Sequence, residues 1–168
     1  MKIIILFFLV TLVFDSNCYS QSAEQYFNNG FTKSKSGDYQ GAIVEYTKAL
    51  KINSKYAKAF LVRGVAKYQM GDYQGANSDC TKAININPND VIALNVRAAV
   101  RIELGDYSGI ISDCTKMIKI NPNDAKVYTE RGFAKQKLGQ KTSGCLDLRK
   151  AEELGDVRAT RLIGIYCK

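Results

Sequence analysis

The sequence contains no histidine among its 168 residues. Histidine is the commonest general base in enzymes, the base of the Ser-His and Cys-His nucleophile pairs, and the commonest zinc ligand. Its absence argues against active sites of these kinds, and the sequence shows neither a paired acidic cluster nor an activated thiol. We therefore predict that the protein is not an enzyme and that it uses no cofactor and no metal.

Long basic runs are also lacking, although the chain is basic overall. Lysine and arginine number 24 against 16 aspartate and glutamate residues, which gives a formal net charge of +8. The cations are scattered and form only short clusters such as Lys33 and Lys35. Because no groove-reading motif accompanies the charge, the sequence predicts no nucleic-acid binding. A basic balance still favours an acidic partner.

The N-terminal segment, residues 1–20, differs in composition from the rest of the chain. Lys2 precedes a nearly unbroken apolar run over residues 3–14. Residues 18–20, Cys-Tyr-Ser, then place small side chains at the two positions that a signal peptidase reads. We predict a signal peptide over residues 1–20, cleaved before Gln21, and hence a secreted or periplasmic protein with no transmembrane segment in the mature chain.

Two alternatives to a cleaved signal remain. A membrane anchor would need about 20 apolar residues, more than this segment offers. A bacterial lipoprotein would be acylated at Cys18, but the preceding residues 15–17, Asp-Ser-Asn, do not resemble a small-apolar lipobox. The sequence therefore favours export with cleavage.

The remainder of the chain repeats at a fixed interval. The tripeptide Gly-Asp-Tyr begins at Gly37, Gly71 and Gly105, and a degraded copy begins at Gly139. The tetrapeptide Asn-Pro-Asn-Asp occurs at residues 87–90 and again, at the same interval, at 121–124. So many coincidences at one interval indicate an internal repeat, and repeats define a fold before single elements do.

Each repeat has the turn chemistry of two helices. Gly71 can adopt the left-handed conformation that ends a first helix, and Asp72 can cap the second. Pro88 ends that second helix, and Asp90 can cap the first helix of the next repeat. Because one helix pair cannot bury its own apolar face, neighbouring pairs must stack into a solenoid.

This pattern resembles the tetratricopeptide repeat, in its secreted bacterial form. In the third repeat, for example, Leu94 occupies the bulky position of the first helix and Ala98 the small one. The resemblance implies an all-α solenoid of about four units with a C-terminal capping helix. The fourth unit is degenerate, since Gln140 and Lys141 replace Asp-Tyr. The implied boundaries are 23–56, 57–90, 91–124 and 125–158 for the four repeats, and 159–168 for the capping helix.

The four cysteines beyond the N-terminal segment divide into two pairs, and none forms a CxxC motif, so a zinc or redox site has little support. Cys80 and Cys114 share one repeat position and are predicted to fill the core. Cys145 and Cys167 lie at nearly equal distances on either side of the predicted turn at residues 155–156. They can therefore form a disulfide that fixes the last helix in an exported protein, the alternative being two buried free thiols.

Charged residues also recur at fixed repeat positions. Arginines lie in the first helices, and acidic residues lie in the second helices, which predicts interhelical ion pairs. The sequence leaves open whether each arginine pairs within its own repeat or with the preceding one, and whether Asp79 pairs with Lys82 along its own helix. The recurring residues are Arg63, Arg97 and Arg131 in first helices, and Glu45, Asp79, Asp113 and Asp147 in second helices.

The resemblance also implies a groove on the inner faces of the first helices, where members of that family hold peptides. An apolar floor with basic edges suits an extended or helical segment with carboxylates. Phe27, Leu61 and Val65 occupy positions where the chaperone-binding members have a polar clamp, so a chaperone tail is not expected. The predicted groove residues are Phe27, Phe31, Lys58, Leu61, Val65, Tyr68, Asn95, Ile102, Lys126, Thr129 and Phe133, and Lys35 and Lys137 lie at the margins.

The sequence thus predicts an exported scaffold that binds a protein or peptide segment in this groove. The alternative is a basic envelope protein that binds anionic glycan or lipid surfaces. The two differ in salt dependence, because binding to an anionic surface weakens steeply as salt rises.

Overall fold

The computed structural model describes residues 22–167, which form nine helices and no strands. The predicted signal peptide at residues 1–20 lies outside this range. Within it, no helix is both long enough and apolar enough to span a bilayer. The all-α class predicted from the sequence is confirmed. The helices are α1 (22–35), α2 (Tyr39–Ile52), α3 (Ala57–Gln69), α4 (Tyr73–Ile86), α5 (Val91–Glu103), α6 (Tyr107–Ile120), α7 (Ala125–Lys137), α8 (Lys141–Glu153) and α9 (Val157–Tyr166).

The described residues belong to two compact units. The first unit ends at Ile86 and contains α1 to α4, and the second begins at Asn87 and contains α5 to α9. Within each unit, consecutive helices pack on one another: α3 packs between α2 and α4, and α7 packs between α6 and α8. The helix α9 packs mainly on α8 and touches α7. Because the loops are short, helices that follow each other in sequence become neighbours in space.

The turns inside the repeats have the geometry that their sequence predicts. Gly71 has a φ of 79°, a left-handed conformation in which a residue with a Cβ would be strained. The side chain of Asp72 then accepts a hydrogen bond from the backbone N–H of Gly75 at 2.8 Å. Asp90 accepts hydrogen bonds from the N–H groups of Ile92 and Ala93 and so caps α5. These aspartate side chains accept hydrogen bonds from backbone N–H groups that the first turn of a helix leaves unsatisfied.

Small residues let the paired helices approach closely. A Cβ added at Gly64 in α3 would lie 3.3 Å from the carbonyl oxygen of Ala76 and 3.1 Å from the Sγ of Cys80, both in α4. The approach of α7 to α8 is closer still, because Gly132 and Gly144 face each other's carbonyl oxygens. Larger residues fill the remaining space, and the largest fully buried side chains include Tyr46, Leu94, Met117 and Leu148.

Buried carboxylates join the two helices within each of repeats 2 to 4. Asp79 of α4 is 1% exposed and accepts two hydrogen bonds from Arg63, each of 2.8 Å, while the Nζ of Lys67 lies 2.9 Å away. Arg63 also donates to the hydroxyl of Thr47 in the preceding repeat at 2.9 Å. The arginine therefore pairs with the acid of its own repeat. The same arrangement joins Arg97 and Arg101 to Asp113, and Arg131 and Lys135 to Asp147.

Candidate peptide-binding site

The predicted groove residues of the first unit surround an aromatic cluster. Phe27 is buried and packs on the ring of Tyr56 at a centroid distance of 5.1 Å. Phe31 is 44% exposed, and the Nζ of Lys35 lies 4.7 Å from its ring centroid. The Nζ of Lys58 lies 5.3 Å from the ring of Phe27. Phe31 and the two lysines therefore face solvent, whereas Phe27 belongs to the core.

The other predicted residues of the first unit lie on α3. Leu61 is buried, and Val65 and Tyr68 are half-buried. The ring of Tyr68 packs against Tyr73 at a centroid distance of 5.5 Å. Val65 and Tyr68 thus offer part of their surface to a ligand, while Leu61 offers little.

In the second unit, the predicted residues differ in the same way. Asn95, Ile102 and Lys126 are exposed, and Phe133 is half-buried. Thr129 is only 4% exposed, and its hydroxyl donates a hydrogen bond to the Oδ2 of Asp156 at 2.8 Å. This bond ties α7 to the N-terminal cap of α9.

A groove of about 540 Å³ lies between α7 and α9, beside this tie. Its floor is apolar, since it consists mainly of the ring of Phe133 and aliphatic side chains of α9. Several of those side chains are well exposed, with Val157 at 82% and Ile165 at 57%. The groove residues are Thr129, Glu130, Phe133, Val157, Arg158, Arg161, Leu162 and Ile165. We call these eight residues the α7–α9 groove.

Three charged side chains edge this groove. Arg158 is already paired with Asp156, whose Oδ2 lies 2.7 Å from its Nη2. Arg161 is exposed and makes no ion pair within residues 22–167. Burial raises the pKa of Glu130, so its ionised form is held in the groove at a cost in stability. An acidic group that burial perturbs within a cleft is a candidate for ligand contact.

Most of the groove residues come from α9, and the sequence did not predict them. The shorter interval between helix caps explains why these residues were not predicted. The caps Asp124 and Asp156 lie closer together in sequence than the caps Asp90 and Asp124. When α7 and α9 are aligned on their caps, Arg161 occupies the position of Thr129. The interpretation of residues 159–168 as a cap alone concealed this correspondence, which a repeat pattern that allows a shortened loop would reveal.

The cysteines have different environments. Cys145 and Cys167 form a disulfide with a Cα–Cα distance of 5.7 Å, which links α8 to the end of α9. Cys80 and Cys114 are buried and form no disulfide, and burial raises the pKa of the Cys114 thiol to about 12. A thiol with so high a pKa is not a nucleophile near neutral pH. In the described range, no group of three or more potential ligand side chains is placed to hold a metal ion.

Two acidic residues contribute stability that depends on pH. Burial alone would raise the pKa of Asp79, but hydrogen bonds from Arg63 and Lys67 outweigh it and the pKa is lowered. Hydrogen bonds from Arg158 hold the pKa of Asp156 far below its ordinary value. Both carboxylates therefore stabilise the folded state only while they are ionised.

We expect the protein to lose stability as the pH falls below about 4, the ordinary pKa of an aspartate. The folded-state pKa values are depressed, so the stabilisation is complete above that value and is lost as the pH falls towards them. The urea midpoint, followed by circular dichroism, should decrease between about pH 5 and pH 2. A Glu130→Gln variant should keep this loss, because the pKa of Glu130 is shifted in the opposite direction. A midpoint independent of pH over this range would contradict the assignment.

The geometry described above has counterparts in known proteins. A model of the tetratricopeptide repeat matches residues 57–90, and a second, described as TPR repeat, matches residues 34–71. The crystal structure of MamA is 21% identical with a TM-score of 0.80, and the match covers 88% of this chain and 81% of that one. The first TPR of Spaghetti (RPAP3), bound to an HSP90 peptide, is 26% identical with a TM-score of 0.66, over 71% of this chain and 95% of that one. No curated protein matches this chain.

Helix pairs that recur at a fixed interval and stack on their neighbours define a helical-repeat protein. More specifically, the chain contains tetratricopeptide repeats, which the family models match within residues 34–90. The predicted all-α repeat solenoid is confirmed as the fold class.

Proposed function

We propose that this protein is a peptide-binding scaffold, and that the α7–α9 groove holds a partner segment with apolar side chains and at least one carboxylate. Proteins with this fold mediate protein–protein interactions, and some bind peptides. The TPR2B domain of yeast Sti1, which is 24% identical with a TM-score of 0.60, is likewise known in a complex with pHsp70. The match covers 70% of this chain and 98% of that domain.

The main support is Arg161, an exposed cation at the edge of an apolar floor. Its guanidinium makes no ion pair within residues 22–167, so it is available to a ligand. A carboxylate beside it would gain a charge-assisted hydrogen bond that can be bidentate. Apolar side chains of the same segment would cover Phe133 and Ile165. Glu130, on the opposite helix, can accept a hydrogen bond from a backbone N–H group of that segment.

The proposed ligand is not a chaperone tail. Phe27 and Leu61 are buried and apolar, so they cannot supply the polar clamp that such tails require in the resembled family. The apolar floor also argues for a peptide rather than an anionic surface. A glycan or lipid headgroup layer would leave Phe133, Leu162 and Ile165 without apolar contacts.

The proposal is tested by selecting peptides from a random display library on the immobilised protein. We expect enriched sequences to combine apolar residues with Asp or Glu. A synthetic peptide of the enriched sequence should then bind the Arg161→Glu variant about tenfold more weakly, since exchanging attraction for repulsion at a charge that the bound peptide covers costs about 1.4 kcal/mol or more. Phe133→Ala should reduce binding by a similar factor through lost apolar contact.

Matched controls on the same protein separate the groove from its surroundings. Arg149→Glu reverses an exposed charge on α8 that does not line the groove, and it should leave binding within about twofold. Enrichment of peptides that bind the Arg161→Glu and Phe133→Ala variants undiminished would refute the site. Tight binding to anionic vesicles, lost steeply with salt, would instead favour the surface-binding alternative.

We also propose that the protein is exported with removal of residues 1–20. The basic start, the apolar run and the small residues before Gln21 support this proposal. A disulfide between Cys145 and Cys167 is consistent with an oxidising compartment. N-terminal sequencing of the protein from the extracellular or periplasmic fraction should begin at or near Gln21, and recovery only in the reducing cytosol would contradict export.

A further inference from the structure

We infer that the disulfide between Cys145 and Cys167 regulates the α7–α9 groove, so that the groove is formed in the oxidised protein and lost on reduction. This inference rests on the proposed function only in naming what the groove binds. The structural part of it, that the bond holds α9 in place, stands on the contacts of α9 itself.

The helix α9 lacks the interhelical ion pairs that fix the first helices of repeats 2 to 4, α3, α5 and α7. In α7, Arg131 and Lys135 both bind the buried carboxylate of Asp147. When α7 and α9 are aligned on their caps, these two cations correspond to Ile163 and Cys167. The disulfide thus occupies the position of the second cation, but it joins α9 to the preceding helix α8, whereas the cations of α3, α5 and α7 bind the second helix of their own repeat.

The remaining contacts of α9 are few. Ala159 is its only fully buried side chain, and its cap, Asp156, accepts a hydrogen bond from the hydroxyl of Thr129. Near its C-terminus, the ring of Tyr166 contacts Phe133 at a centroid distance of 6.3 Å. A helix of 10 residues has little stability of its own, because isolated helices shorter than about 12 residues are marginal in water.

The groove depends on the part of α9 that the bond fixes. Leu162 and Ile165 lie in the last two turns before Cys167, and both line the groove. Without the bond, mainly the cap of α9 and the packing of Ala159 and Tyr166 would resist fraying of these turns. The half of the floor that faces Phe133 would then be lost.

The reaction is an ordinary thiol–disulfide exchange. A dithiol reductant supplies two electrons and two protons, the Sγ–Sγ bond breaks, and Cys145 and Cys167 become thiols while the reductant closes to its own disulfide. Both cysteines are only half-buried, so a reductant can reach them. Cys80 and Cys114 are fully buried and form no disulfide, so they do not compete for the exchange.

Two measurements on the oxidised protein, the dithiothreitol-reduced protein and the Cys145→Ser/Cys167→Ser double variant test the inference. The first uses no ligand: hydrogen exchange of backbone amides in residues 162–167 should be about tenfold faster or more without the bond, while α3 and α7 keep their protection. The second uses the synthetic peptide selected on the oxidised protein, and its affinity should fall about tenfold or more on reduction, in proportion to the fraction of protein with a formed groove.

The outcomes distinguish this inference from the proposed function. Unchanged exchange in residues 162–167 after complete reduction overturns the inference, whatever the peptide does. Unchanged peptide affinity on reduction also overturns it, yet leaves the groove assignment standing if Arg161→Glu still weakens binding. If no peptide is enriched, the proposed function fails, and the exchange measurement still decides whether the bond holds α9. A general loss of protection in α3 and α7 would show global destabilisation instead and would equally overturn it.

Discussion

Replacement of Asp79 by alanine is expected to lower the free energy of unfolding by about 3–5 kcal/mol. The Asp79 carboxylate is fully buried and forms ion pairs with Arg63 and Lys67, whose nitrogen atoms lie 2.8 and 2.9 Å from its oxygens. Its removal leaves both cations partly buried, with side-chain exposures of 12% and 20%, without their counter-charge. Desolvation of an unpaired charge is the main cost, and it exceeds the interaction energy of the pair itself. Urea denaturation followed by circular dichroism measures the change.

Two controls isolate the cause. A triple variant with Asp79→Leu, Arg63→Met and Lys67→Met should recover most of the lost stability, because no unpaired charge then remains buried. Glu153→Ala should change the stability little, because its pair with Lys150 is exposed to solvent. An Asp79→Ala variant no less stable than the Glu153→Ala variant would show that the ion-pair network does not hold the helices together.

Replacement of Leu148 by alanine should cost about 2–5 kcal/mol, the second large effect. Leu148 is fully buried and lies against Gly132, where an added Cβ would be 2.9 Å from the Leu148 Cγ. Gly132→Ala alone should therefore cost about 1–3 kcal/mol through overpacking. The double variant should lose less than the sum, with a coupling of about 0.5 kcal/mol or more, since the new methyl group fills part of the cavity.

Another glycine provides the matched control. Gly164 occupies in α9 the position that Gly132 has in α7, but an added Cβ there would meet nothing within 4 Å. Gly164→Ala should therefore be neutral or stabilise by up to about 1 kcal/mol, because alanine has the higher helix propensity. Thermal unfolding of the two glycine variants gives the comparison. Equal effects at both positions would mean that close packing of α7 on α8 is not the reason for Gly132.

These large effects concern stability, and the residues that cause them lie outside the α7–α9 groove. Asp79 and Leu148 join first helices to second helices, whereas the α7–α9 groove lies on the surface of first helices. A ligand surface can therefore vary between proteins that share this framework. The structural similarity to MamA, at 21% identity, is consistent with that division, since it shows the fold alone.

The sequence by itself determined the repeat, the helix pairs and their turns. The fixed repeat interval, the glycines of the Gly-Asp-Tyr turns and the caps at Asp72 and Asp90 act through local backbone geometry, which depends on neighbours in the chain. The close approach at Gly64 also follows from repeat position, because each repeat packs its two helices in the same way. Local rules of this kind are readable without coordinates.

Only the tertiary structure decided which residues are accessible and which charges pair. Phe27, Leu61 and Thr129 share one repeat position with Arg161, yet the first three are buried and Arg161 is exposed. Neighbouring helices determine that difference, and sequence periodicity does not specify how far each neighbour extends over a side chain. Likewise, the choice of Arg63 as the partner of Asp79 depends on distances between helices. The α7–α9 groove depends on how α9 packs against α7 and α8, which a shortened loop and one disulfide set.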